Sequence, residues 1–212
     1  MWKRLYRRLV TETGRDIIRP PERKIDAALR GAEAILGVRL PTQYKGFIRQ
    51  FGPGTLADEF CILAPVVPGS GCSRYDLVGR QSEVRHPKTS YWGQKGKPGL
   101  VARLICFCGT IGGLIIFWDP ADVCNRRTWD YGIYFLPRND QNAAVRELAG
   151  SFREFVEFVC LGRGFDRLGG YEDGSLPKQQ FQTAWPARQL RSVSERKHAE
   201  RVAAADRPRG GG

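Results

Sequence analysis

Histidine is nearly missing from this sequence: His86 and His198 are the two in 212 residues. Neither stands in a motif with a nucleophile or a second carboxylate, and His198 lies in a charged tail. Acid–base and nucleophilic catalysis most often place a histidine beside the reacting group, so no catalytic residues are assigned and no enzymatic activity is expected. The glycine-rich stretches Gly69-Ser70-Gly71 and Gly109–Gly113 do not spell a phosphate-binding loop, which needs G-x-x-x-x-G-K-[ST] or a strand, G-x-G-x-x-G and a helix. Turn chemistry explains both. No apolar run approaches the roughly 20 residues needed to span a bilayer. The opening MWKRLYRRLVTETG is basic, without the apolar stretch and small-residue cleavage site of a signal peptide. No internal repeat is found.

The six cysteines are scattered, at 61, 72, 106, 108, 124 and 160. Cys106, Cys108 and Cys160 sit in apolar runs, where a free thiol behaves as a small hydrophobe. Alternation along a strand would put Cys106 and Cys108 on one face. A zinc site would want tighter Cys/His clusters, and the nearest spares, Cys124 and His86, have arbitrary spacing. A reduced, cytoplasmic protein without metal or cofactor is expected, with no membrane contact and no small-molecule substrate.

What the sequence has in excess is positive charge, +12 formally, and most of it lies at the ends. Residues 1–24 carry a net +5, residues 25–160 a net +3 and residues 161–212 a net +4. Basic ends can meet nucleic acid through phosphate contacts and counterion release; solvated, flexible extensions are the preferred reading. A hydrophobic content of 42% and five tryptophans indicate a globular core between them.

Pro20-Pro21 opens a helix in which Ile25, Leu29, Ala32, Ile35 and Leu36 form one apolar stripe, and Gly37 stops it. Pro41 suits the first position of a second helix, with Tyr44, Phe47, Ile48 and Phe51 on its apolar face and Gly52-Pro53-Gly54 as terminator. Phe60–Leu63 reads as a strand, residues 66–74 as a loop, residues 76–85 as a short helix and residues 86–98 as a surface loop. The run VARLICFCGTIGGLIIFWDP, residues 101–120, reads as an antiparallel hairpin, and residues 131–137 as a further strand. Ser151 and Glu154 form a capping box before Phe152, Phe155, Val156 and Val159, a helix closed by Gly162. Helices, then strands, then a helix predict an α+β fold.

Several of these pieces resemble the SUKH superfamily, which includes yeast Smi/Knr-like cell-wall regulators and bacterial toxin-immunity proteins. Leu36, Gly37, Leu40, Pro41, Tyr44, Phe47 and Gly52 stand where that family has a helix ending in LG-x-x-LP, a Y-x-x-F and a glycine stop. Residues 111–119 look like its glycine turn into a central strand. Ser151, Phe152 and Phe155 look like its SF-x-x-F helix. The resemblance covers residues 23–162. It departs at Gly52-Pro53-Gly54, where members often have an asparagine or aspartate. It implies an antiparallel sheet packed with N-terminal helices and a closing C-terminal helix, used as a protein-binding scaffold without catalysis. The expected organisation is a basic arm over 1–22, a SUKH-like domain over 23–165 and a polar basic extension over 166–212.

For such a scaffold the candidate partner-binding residues are Tyr91, Trp92, Trp118, Asp119, Trp129 and Asp130. Aromatics beside carboxylates suit an interface, and the carboxylates would favour a basic partner. For Trp118 and Tyr131 the preferred alternative is that they are core residues of the sheet. The function implied by the resemblance is an immunity protein that binds a cognate toxin. The alternatives are a regulatory scaffold recruiting several partners and a nucleic-acid-associated protein acting through the basic ends. The strong positive charge sits poorly with inhibition of a basic nuclease, whose inhibitor should be acidic.

Overall fold

The computed structural model describes residues 1–10, 19–69, 73–84, 103–136, 145–168 and 176–185. Helix α1 (Trp2–Val10) lies in the segment expected to be a basic arm. Trp2, Leu5 and Leu9 recur at the spacing of one helix face, and all three are buried in the core. The Trp2 indole donates to the Gln43 carbonyl at 2.9 Å and meets the Phe47 ring edge-on. Lys3, Arg4, Arg7 and Arg8 take the exposed face. The packed core therefore begins before residue 23.

Helix α2 (Glu22–Leu36) buries Ile25, Leu29 and Ala32. Ile35, expected on the same stripe, is 71% exposed. Gly37 ends the helix at φ 69°, its amide reaching the Glu33 carbonyl, a conformation that glycine adopts without the penalty a Cβ brings. Helix α3 (Thr42–Phe51) starts one residue later than expected, because Pro41 is its extended N-cap. Its buried residues are the four predicted ones, Tyr44, Phe47, Ile48 and Phe51.

The strands are β1 (Gly54–Leu56), β2 (Phe60–Ile62), β3 (Ile105–Thr110), β4 (Ile115–Asn125), β5 (Asp130–Leu136), β6 (Arg146–Ala149) and β7 (Phe181–Thr183). They form one antiparallel sheet in the order β6-β5-β4-β3-β2-β1-β7. The expected hairpin is β3–β4, and the α+β architecture stands. Within β3 a register shift between Cys106 and Cys108 pairs Cys106 with Phe117 but Cys108 with Ile116. Adjacent residues of β4 point to opposite faces, so the bulge separates the two thiols that simple alternation would have put together. Both are buried, and burial pushes the Cys106 thiol up to about 12.

Helix α4 (Leu77–Val84) packs on β3 and is tied to it by a buried carboxamide. Gln81 accepts from the Cys106 amide at 2.9 Å and donates to the Cys106 carbonyl at 2.7 Å. It supplies β3 with the pairing that the three-residue strand β2 is too short to give.

After β6 comes α5 (Phe152–Glu154), which runs on as a π-helical turn, Phe155–Cys160, and then a 3₁₀ segment, Arg163–Leu168. The serine half of the capping box is present, with Ser151 Oγ accepting from the Glu154 amide at 3.1 Å, while Glu154 reaches back to the Gly150 amide at 2.9 Å, one residue before the N-cap. The closing element is thus not the long α-helix expected. One α-turn passes into the wider π-turn, and the chain continues to β7, which covers the open edge of β1. Phe181 and Trp185 are buried, so the packed core also extends past residue 165. An aromatic cluster joins the layers, with Phe107 stacked on Trp118 at 4.2 Å and edge-on to Phe155 at 5.3 Å.

Candidate partner-binding surface

Of the six residues singled out from the sequence, Tyr91 and Trp92 lie outside the described residues. Trp118 is 1% exposed, stacked on Phe107 and edge-on to Tyr44 at 4.8 Å. Its indole nitrogen is buried without a hydrogen-bond partner among the described residues. Tyr131 is likewise buried and donates its hydroxyl to the Arg39 carbonyl at 2.7 Å. Both take the core alternative.

Asp119 points to the opposite face of β4 from Trp118, as alternation requires. Arg103 clamps it from two nitrogens, Nε at 2.9 Å and Nη2 at 2.6 Å, and the Ala121 amide donates at 3.0 Å. Burial pushes this carboxyl up, but the guanidinium and the amide outweigh it and hold it below its ordinary value. Asp130 is buried and accepts from the Thr128 hydroxyl at 2.6 Å. Burial raises its pKa, with the Thr128 hydroxyl and the Phe152 amide opposing. Its Oδ1 has no hydrogen-bond partner among the described residues. These two carboxylates are held inside the fold and do not combine into an acidic surface patch.

Trp129 is half-buried in the turn between β4 and β5, at φ 54°. A bulky residue pays for that left-handed backbone, and the Arg39 guanidinium lies over its ring at 4.7 Å. Trp118 and Asp119 of β4, Trp129 of the turn and Asp130 of β5 therefore do not form one accessible site.

The accessible apolar surface lies elsewhere. A groove of about 590 Å³ runs between α2 and the segment joining β2 to α4, lined by Ala28, Gly31, Ile35, Pro65, Val66 and Val78 among others. Ala28, Gly31 and Ile35 sit at i, i+3 and i+7, so α2 carries a second, small-residue face beside its buried one. Ile35 is 71% and Val66 39% exposed. Two large aliphatic side chains exposed in one groove are a surface that another protein can cover. The sequence pattern hid it, because Ile35 also fits the buried stripe and Val66 stands in a proline-rich loop. Among the described residues, no group of three or more His, Cys, Asp or Glu is placed to hold a metal ion. No helix among them is long and apolar enough to cross a membrane.

Residues 26–157 match the family model described as SMI1 / KNR4 family (SUKH-1). That span is more than half of the 212 residues. No curated protein and no solved structure matches the chain.

Proposed function

We propose that this chain, which belongs to the SMI1 / KNR4 family (SUKH-1), acts by binding another protein directly, and that the protein it binds is a cognate toxin, which it neutralises. The observation that carries the reading is the exposed apolar groove inside the matched span, built by Ile35 of α2 and Val66. Burying such side chains on association is favourable by roughly 25 cal/mol per Å² of apolar area. Grooves of this kind receive the few anchoring side chains that dominate an interface.

Neutralisation of this kind is non-catalytic: the chain covers its partner stoichiometrically. The toxin partner comes from the resemblance to bacterial immunity proteins. The resemblance to Smi/Knr-like regulators, whose names the family description carries, favours a second reading, a scaffold that recruits several partners. Co-expression of the full chain with each candidate toxin encoded beside it separates the two. Growth rescue together with a stable one-to-one complex supports neutralisation. Failure to protect against every candidate, with the chain folded and expressed, leaves the scaffold reading in its place.

A further inference from the structure

The turn from β4 to β5 presents Arg126 and Arg127, both exposed, and it is fastened at several points. The Asn125 carboxamide oxygen accepts from the Arg127 amide at 2.9 Å and from the Thr128 amide at 3.4 Å. The Thr128 carbonyl accepts from the Thr42 amide at 2.8 Å, which ties the turn to the start of α3. Trp129 follows in its left-handed backbone, with the exposed Arg39 guanidinium over its ring. The backbone of Arg39 is held as well, because its carbonyl receives the Tyr131 hydroxyl. Stacking uses the flat face of a guanidinium and leaves the N–H donors in its plane directed outward. Among the described residues, none of Arg39, Arg126 and Arg127 forms an ion pair. The acids nearest along the chain are engaged elsewhere: Glu33 with Lys45, Asp122 with the Tyr134 hydroxyl and Asp130 with Thr128.

We infer that the β4–β5 turn, together with Arg39 stacked on Trp129, receives an acidic surface of the protein partner, an assignment that rests on the protein-binding reading above. Guanidinium forks match carboxylates, and a patch of one sign speeds the encounter with the opposite sign. Arg39 is already positioned by the indole, so little of its freedom remains to be lost on binding. A bulky residue in a left-handed backbone is a cost, and such costs cluster where a fold holds side chains for a ligand. Ile35 of the apolar groove and Arg39 flank the Gly37 cap of α2, so the cationic turn adjoins that groove along the chain. Nucleic acid fits less well. Three guanidiniums are few beside the roughly six to ten phosphate contacts of a protein that grips the duplex backbone. Bases of a single strand stack on open aromatic faces, whereas Trp129 is half-buried and one face of its ring is taken by Arg39. The partner chemistry is thus the reverse of that suggested by the aromatic–carboxylate pairs of the sequence.

The test is a titration of the full chain with a labelled peptide of alternating glutamate and alanine. The same peptide with lysine for glutamate and labelled single- and double-stranded DNA serve as comparison probes. The glutamate peptide is expected to bind, the lysine peptide not, and the double substitution Arg126→Glu, Arg127→Glu to weaken binding about tenfold or more. Arg39→Lys, which keeps the charge but not the planar fork, should lose affinity in the same direction. Arg74→Glu with Arg163→Glu changes the net charge equally at exposed positions outside the turn, and should leave affinity within about twofold at physiological salt. Absence of peptide binding, or equal losses from the two double variants, overturns the assignment. DNA binding as tightly and losing affinity with the same turn substitutions overturns it in favour of a nucleic-acid surface. Growth protection measured in parallel judges the toxin reading by itself. A chain that binds the peptide and does not protect loses that reading alone; one whose protection survives reversal of the turn loses this assignment alone.

Discussion

The indole of Trp185 lies so close to Gly52 that a Cβ added to the glycine would sit 2.5 Å from its Cε2. Gly52 also has φ 75°, a backbone that side chains rarely adopt. The stop of α3 and the segment carrying β7 are therefore one structure, fastened also by the Ala184 amide to the Pro53 carbonyl at 2.8 Å. Gly52→Ala should destabilise the protein by about 2 kcal/mol through overpacking and backbone strain. Denaturant unfolding measures this; an unchanged midpoint would mean that Trp185 is not held there in solution.

Gln81 provides a second structural test. Its carboxamide pairs with both backbone groups of Cys106 and donates as well to the Leu77 carbonyl at 2.7 Å. Gln81→Leu keeps the volume and removes the pairing, leaving an amide and a carbonyl of β3 without partners. Each orphaned group costs about 1–3 kcal/mol, so the variant should be among the most destabilised single substitutions. Thermal unfolding within a degree or two of wild type would contradict the bond.

Asp119 and Asp130 should give opposite pH signatures. The folded pKa of Asp119 is lowered, so its stabilisation is present above the unfolded value, about 3.9, and is lost as pH falls through the folded one. The folded pKa of Asp130 is raised by burial, so its contribution is present below the unfolded value and is lost as pH rises through the folded one. Ionised Asp130 then costs stability at neutral pH. Asp119→Asn should lower the melting temperature at neutral pH and lose that effect in strong acid. Asp130→Asn should hold or raise it at neutral pH and make no difference in acid. Melting curves of both variants across pH check the two signs together.

Ile35→Glu should leave stability within about 0.5 kcal/mol of wild type, because the side chain is already in water. It should nonetheless weaken the complex with the partner protein by tenfold or more if the apolar groove is the contact. Calorimetric titration distinguishes this from a spectator surface.

The helices α2 and α3 and the hairpin of β3 and β4 are legible in the sequence because periodicity and turn residues agree there. Ile25, Leu29 and Ala32 give a full apolar stripe, and Tyr44 through Phe51 another. The ends are harder to read for a physical reason. Four cations in residues 1–10 make that segment look like a solvated arm, yet Trp2, Leu5 and Leu9 suffice to dock a short helix once a core exists to receive it. β6 and β7, of four and three residues, carry too little pattern to show alternation, and their pairing is decided by the open edges of β5 and β1. The bulge at Phe107 is also tertiary, since that ring turns toward Trp118 and Phe155. The candidate surface is harder still. Aromatics beside carboxylates mark an interface only if they reach solvent, and Asp119 and Asp130 are consumed by Arg103 and Thr128.

Direct binding is best tested by co-expressing the full chain, wild type or Ile35→Glu, with each candidate toxin and measuring growth. The proposed function predicts that wild type restores growth and forms a one-to-one complex, while the folded Ile35→Glu chain protects poorly. No protection by wild type against any candidate toxin, with the chain soluble and folded, would contradict it.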